Sequence, residues 1–420
     1  MRAGAWATHR DIAAARVGWE RARQIADELP DDDPDGSAMR IAPRTMLCVS
    51  AFRVRASSSG PFEELRELCN AAEDKASLAI GMTGPAVELL ASGRAHEASR
   101  LAAEQMALLK SIGDPVLTVG LAPWATSVWF DTGEIATILR WSQTVIDLAG
   151  GDPTKGANFG LGSPLAVALG SRGVARWWLG RPGWREDLDD AVAMARNSDP
   201  VTQTAVVNYK YSWTVFYGVL RVDDSAVPEI EAAVRTAEGS SDDNALSVVK
   251  FTLGIALVHR DAAADRQRGL ELLMQVRGMW LREGSLLYGI PHLDICVARE
   301  CARSGDRDGA ISVMRKAVDD LHQAGRLGFG VWGAGVLVET LLDRGTEGDV
   351  AEARTAIDRL ANLPADEGLA VRDIWLLRLR ALLARAGGDE TAYRGLAERY
   401  RAMAESLGFE GHIAMAEAMV

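Results

Sequence analysis

A short turn followed by an amphipathic helix returns along the whole chain, and this recurrence limits the possible folds more than any other feature. Gly93-Arg-Ala-His-Glu-Ala98, Gly305-Asp-Arg-Asp-Gly-Ala310 and Gly345 leading to Ala353 each open such a helix. Small or apolar residues then come back at i, i+3 and i+4, as in Ala98, Leu101, Ala102; Ala310, Val313, Met314, Ala317; and Ala353, Ala356, Ile357, Leu360. That spacing marks one face of a helix. Further turns stand at Gly133, Gly180 and Gly387, with degenerate versions near Asp223 and Asp261, so the seven intervals between residues 93 and 387 average 42 residues. A unit of this length holds two antiparallel helices, and neither buries its apolar face unless the next pair stacks on it. The expected fold is all-α, an α-solenoid of antiparallel helix pairs.

The Gly-x-x-x-x-Ala turn resembles the tetratricopeptide type, with repeats elongated to about 40 residues; the same period overlaps the HEAT and armadillo range. Gly113-Asp-Pro115, Gly151-Asp-Pro153 and Ser198-Asp-Pro200 are read as helix starts, because Asp can cap orphan amides and Pro at the first position loses only an unpaired N–H. The β-branched and aromatic stretch Val206 to Tyr217 falls where the repeat needs a buried first helix, and context outweighs propensity there. Asp31-Asp-Asp-Pro-Asp-Gly36 and Ser57-Ser-Ser-Gly-Pro61 read as loops. Residues 1–60 are expected to be N-terminal helices continuing from an upstream domain, and residues 61–420 the tetratricopeptide-like solenoid.

Composition excludes several classes. Forty-six Lys and Arg against 58 Asp and Glu leave a net charge of −12, which repels a duplex of phosphates and argues against direct nucleic-acid binding. Four cysteines (48, 69, 296 and 301) are too few for a disulfide scaffold, and no Asn-x-Ser/Thr site occurs, so a reduced cytoplasm is expected. Residues 1–16 carry Arg10, Asp11 and Arg16 where an export signal needs an apolar run. The longest uncharged stretches, Pro115 to Phe130 and Gly156 to Ser171, span 16 residues each, short of the ~20 needed to cross a bilayer. No membrane contact is expected.

Several segments are similar to the C-terminal helical-repeat region of actinobacterial class III adenylate/guanylate cyclase–ATPase regulators and of related LuxR-type large ATPase regulators. They are Ala42-Pro-Arg-Thr-Met-Leu-Cys48, Leu139-Arg-Trp-Ser-Gln-Thr-Val-Ile-Asp-Leu148, Ala175-Arg-Trp-Trp-Leu-Gly-Arg-Pro-Gly-Trp184, Gly335-Val-Leu-Val-Glu-Thr-Leu-Leu-Asp-Arg-Gly345 and Tyr400-Arg-Ala-Met-Ala-Glu-Ser-Leu-Gly-Phe-Glu-Gly-His412. The resemblance implies a regulatory arm that follows cyclase and ATPase domains. This sequence holds neither domain, so no family catalytic residue carries over and a truncated or separately encoded C-terminal part is expected. A subunit contributing to nucleotide cyclase activity together with such domains is the alternative.

No motif in the chain demands catalysis. Gly328-Phe-Gly-Val-Trp-Gly333 has the dinucleotide spacing, with Asp349 at the distance of a ribose acid, but a helix over Ala310 to His322 precedes it where a strand is required. The glycines are better explained by close helix approach. Gly151-Asp-Pro-Thr-Lys155-Gly156 holds P-loop letters in an unusable order. His292, Cys296 and Cys301 lack a fourth metal ligand and read as core residues, as do Cys48 and Cys69. No nucleophile elbow or zinc-protease motif occurs. In Arg172, Arg176, Trp177, Trp178, Arg181, Trp184 and Arg185 the indoles are expected to fill the core, with the arginines paired to Glu186, Asp187, Asp189 and Asp190.

The reading is a non-enzymatic interaction scaffold without cofactor or metal. Its partner would be a protein, its own upstream cyclase/ATPase domains or a small effector. A transcriptional role would need a recognition helix beyond Val420. Candidate binding residues are Tyr209, Tyr211, Tyr217, Tyr288 and Trp332, aromatics of first helices that line the concave side of open solenoids.

Overall fold

The computed structural model describes residues 12–30, 32–51, 59–240, 242–363 and 368–419. Among these residues every regular element is helical. The N-terminal part runs α1 (Ile12–Asp27), α2 (Gly36–Val49), α3 (Ser59–Ala71), α4 (Lys75–Gly81) and α5 (Thr83–Ala91). Then follow α6 (Ala95–Ile112), α7 (Pro115–Thr132), α8 (Ile135–Ala149), α9 (Pro164–Trp178) and α10 (Trp184–Ala195). Helix α11 starts as Pro200–Val207 and passes through a π-helical turn, Asn208–Trp213, into Thr214–Phe216. The second half comprises α12 (Ala226–Glu238), α13 (Asp243–Val258), α14 (Ala263–Glu283), α15 (Ile290–Arg303) and α16 (Arg307–Gln323). It ends with α17 (Leu327–Arg344), α18 (Glu347–Ala361), α19 (Ala370–Ala386), α20 (Glu390–Leu407) and α21 (Glu410–Glu417). None of these helices is long and apolar enough to cross a membrane.

From α4 onward the helices pair across the eight turns read from the sequence, and successive pairs stack as an α-solenoid. Local chemistry sets each boundary. At α7 the Asp114 carboxylate accepts from the amides of Val116 and Leu117, and Pro115 takes the first helical position. Gly133 ends the helix at φ +82, a conformation that costs glycine nothing. Asp199-Pro200 caps α11 in the same way. The third such pair departs from expectation: Asp152 caps a local turn through Thr154, and the next helix begins at Pro164 under Ser163. The expected loop at Ser57–Pro61 is corrected in its second half, since α3 begins at Ser59 and Pro61 sits in its first turn, where no N–H is needed. Ser57 and Ser58 lie outside the described residues, as do residues 1–11.

The alanines of the repeat turns are the seam between paired helices. Ala98, Ala310 and Ala353 are each at most 2% exposed. Val313 is an exception on the same stripe: it is 43% exposed and Ile311 takes its place inside. The N-terminal helices join the stack without a break, because α2 packs on α4 and α5 and Arg44 reaches Asp27 and Glu64.

Several first helices are far more buried than the second helices, while α15 and α16 differ little, with 6 of 14 and 6 of 17 residues buried. In α7, 13 of 18 residues are buried, against 4 of 21 in α14. A helix apolar all round must be covered on all sides, and the solenoid achieves this by curling until its first helices meet. Helix α17 packs on α7, and α19 on α9. The concave side is thereby filled by the chain's own inner layer. Substituting Ala310→Asp is expected to lower stability by about 3 kcal/mol or more, by forcing an unpaired carboxylate into the α15–α16 seam. Thermal denaturation followed by circular dichroism checks this, and an unchanged midpoint would refute the repeat register.

Candidate functional site

The curl closes on a buried ion pair. Asp131 ends the uncharged run of α7, and Arg326 immediately precedes α17, 195 residues later. Arg326 Nε donates to both carboxylate oxygens at 2.7 and 2.9 Å, and both side chains are 3% exposed. Arg326 also donates to the Tyr288 carbonyl, and its guanidinium lies over the rings of Tyr288 (5.4 Å) and Phe329 (5.5 Å). Beside this pair the helices nearly touch. A Cβ at Gly328 would stand 2.1 Å from the Phe130 carbonyl, so the glycine is required there, and Gly328-Phe-Gly-Val-Trp-Gly333 lies in a helix as read. A second closure joins the end of α11 to α21: the amides of Glu410 and His412 donate to the carbonyls of Val219 and Gly218, and Glu410 accepts from Arg185 and from the Arg221 amide.

The expectation of an open concave groove lined by aromatics is corrected by this closure. Tyr209, Tyr211, Tyr217 and Trp332 are 7, 6, 0 and 1% exposed. Phe130 meets Tyr209 and Trp213 at 5.3 and 5.1 Å, Trp213 meets Phe329 at 4.6 Å, and Phe216 meets Trp332 at 4.6 Å. Rings from α7, α11 and α17 thus form one core across the curl. Tyr211 donates to Glu229, which also holds Lys210 at 2.9 Å. Tyr288 is half-buried beside Arg326. Of the five, Trp332 lines the larger of the two cavities described below.

In the arginine–tryptophan segment the indoles fill the core as expected, but among the described residues only Asp187 of the four acids pairs with these arginines, and Asp189 holds Lys210 instead. Trp177 and Trp178 are fully buried, Arg172 and Arg176 both grip Asp187 at 2.6 and 2.8 Å, and Arg185 pairs with Glu410. Cys48, Cys69 and Cys296 are buried; burial pushes the first two thiols up to about 12. His292 packs its ring against Phe329, and among the described residues no cluster is arranged to hold a metal ion.

Two cavities flank the closures. The first, of about 360 Å3, is a groove between α16, α17 and α18. Its floor is apolar (Val318, Leu321, Ala334, Leu337, Ala356, Leu360), and its rim carries the ion pairs Arg315–Glu352 and Arg359–Asp319 at 2.5 and 2.9 Å. Gly330 opens onto it, with no atom within 4 Å of a Cβ built there. The second cavity, of about 610 Å3, lies against the α11–α21 closure and includes Trp332, Trp375, His259 and Arg299. The sequence reading passed over Asp131, Arg299 and Arg326. The signal for Asp131 and Arg326 is a charge at the edge of an otherwise apolar first helix; Arg299 has no such signal, because α15 also carries Asp294, Glu300 and Arg303.

Three histidines of the inner layer are held neutral. Burial, then the field of Arg299, pushes His259 down to about 3; burial, then Arg378, does the same to His412; His292 is lowered well below the ordinary range by burial and Arg326. The unfolded chain binds these protons near pH 6.5 and the folded chain does not, so their contribution is complete above pH 6.5 and is lost as pH falls toward 3.

No family model matches this sequence, and no curated protein does. Among solved structures the chain is similar in outline to one described as "Crystal Structure of Rap Protein Complexed with Competence and Sporulation Factor", at 10% identity and a TM-score of 0.44, covering 97% of this chain and 96% of that one. A second, a "Circular tandem repeat protein with novel repeat topology and enhanced subunit contact surfaces", gives 14% identity and a TM-score of 0.18 over 99% and 93% of the two chains. The fold stands on the helix pairing described above, independently of these likenesses.

Two outcomes are expected. Arg326→Met should cost about 3–5 kcal/mol in urea denaturation because it strands a buried carboxylate, and adding Asp131→Leu should recover most of that loss. Below pH 6.5 the folding free energy should fall by up to about 1.4 kcal/mol per pH unit for each inner histidine, and His412→Gln should remove one such share. Equal denaturation midpoints at pH 7 and pH 5 would contradict this.

Proposed function

We propose that the chain is a non-catalytic regulatory scaffold that takes an apolar segment of a protein partner into the groove between α16, α17 and α18. The observation carrying this reading is the groove itself. An apolar floor with a charged rim matches the way an amphipathic or extended peptide is held, its apolar side chains inward and its polar ones at the edge. Three consecutive helices supply most of it, and His96 of α6 and Thr132 of α7 complete it, so partner binding would be sensitive to the stacking of those repeats and to the curl.

The finer reading makes the partner an upstream cyclase–ATPase, with the chain as its C-terminal arm or as a subunit acting in trans. Its support is the similarity of the segments quoted from the sequence, including Gly335 to Gly345, which runs through α17 beside the groove.

Gly330→Trp tests the groove. The glycine lies inside a helix with open space before it, so the indole should fill the groove with little cost to folding. Capture of a matching cyclase–ATPase fragment is expected with the unaltered chain and at least tenfold weaker with the variant, at an unchanged melting midpoint. Equal capture by both would remove the groove from the interaction.

A further inference from the structure

The second cavity has a charge imbalance that the fold does not explain. Its volume, about 610 Å3, is in the range of small-molecule sites. Phe216, Trp332, Trp375 and Met415 give it apolar walls, and four arginines face it: Arg221, Arg260, Arg299 and Arg303. Three of them have acidic partners. Arg260 holds Asp224 and Asp265 at 2.8 and 2.7 Å, Arg303 holds Glu300 at 2.6 Å, and Arg221 lies 3.7 Å from Asp261.

Arg299 differs. Among the described residues no carboxylate lies within salt-bridge distance of it; the two acids whose fields reach it, Glu339 and Glu300, are paired to Arg378 at 2.9 Å and to Arg303 at 2.6 Å. Its one hydrogen bond runs from Nη1 to His259 Nε2 at 3.1 Å. His259 Nδ1 lies 2.8 Å from the Ile255 carbonyl, which accepts its proton and leaves Nε2 as the acceptor. A neutral imidazole thus orients the guanidinium without cancelling its charge. Burial lowers the Arg299 pKa, meaning that the surroundings disfavour the cation they hold. An arginine stays protonated nonetheless, and this half-buried cation has two free N–H groups to offer an opposite charge. The rim acids Asp224 and Asp261 are 97 and 99% exposed in their side chains, where solvent screens them.

We propose that this cavity binds a small organic carboxylate, with its apolar body along the half-buried Leu220, Val222 and Met415 and its carboxylate on Nε and Nη2 of Arg299. Those two nitrogens donate to no protein acceptor among the described residues, and together they form the fork that meets a carboxylate in two parallel hydrogen bonds. The walls come from both sides of the closure. Phe216 and His259 belong to α11 and the end of α13, Trp375 to α19, and Met415 to α21. Occupancy therefore favours the closed curl, since a ligand stabilises the state that binds it better. The site is separate from the groove and stands whether or not a partner occupies that groove.

The test is calorimetric titration of the full chain with 2-naphthoate, with 2-naphthalenemethanol as its neutral counterpart and 2-naphthyl phosphate as a competing anion. The carboxylate is expected to bind at least tenfold more tightly than the alcohol. Arg299→Gln should erase that difference while the melting midpoint of the free protein stays the same or rises, because no ion pair among the described residues is lost with it. Hydrogen exchange with 2-naphthoate should slow in α15 and α21 and stay unchanged in the outer helix α14. Equal binding of acid and alcohol would overturn the proposal, as would unaltered binding by Arg299→Gln or a phosphate at least tenfold tighter than the carboxylate. A loss of folding in Arg299→Gln would also overturn it, by showing that the guanidinium is structural.

Discussion

The buried contact between Asp131 and Arg326 is the constraint on which the rest of the architecture depends. A solenoid of helix pairs has no inherent reason to close, since each repeat satisfies its neighbours and the concave face can stay wet. Here the first helices are too apolar for water, and their packing across the axis needs a register. The ion pair supplies it. Two charges 3% exposed tolerate only the arrangement in which they meet, while sliding α17 along α7 by one turn would strand both. Gly328 against the Phe130 carbonyl fixes the same register sterically, and the rings of Phe130, Trp213 and Phe329 interlock only there.

Closure moves the places where the molecule can meet a ligand. In an open superhelix the concave face is the binding surface; in this chain that face is spent on the core, and accessible space persists beside the two closures. Anything held there touches helices distant in sequence. The 610 Å3 cavity has walls from residues 215 to 418, so its shape exists only while the curl is shut. A ligand seated there as proposed would favour the shut curl over any arrangement that opens it.

Much of the architecture was legible in the sequence because it is local. Turn glycines, capping aspartates and the i, i+3, i+4 stripes need no knowledge of distant residues, and the eight turns stand where the period put them. The closure is a non-local fact. Its trace lay in the 16 uncharged residues of Pro115 to Phe130, which are too few for a membrane and too apolar for one wall of an open groove. A helix apolar on every side asks for a second neighbour, and that demand turns Tyr209, Tyr217 and Trp332 from groove aromatics into core. Arg299 was beyond reach for another reason: its significance is the missing partner, and spacing along a chain cannot show what fails to come near.

The charge distribution sets a filter on what reaches the cavity. The chain carries −12 overall, much of it on the exposed second helices, yet the cavity wall holds a cation without a carboxylate partner. Over a Debye length of about 10 Å the surface repels extended polyanions, whereas a small monoanion feels little of that field until it is inside. There the low surrounding polarity strengthens its attraction to Arg299. Repulsion outside and attraction within therefore select for size as well as sign.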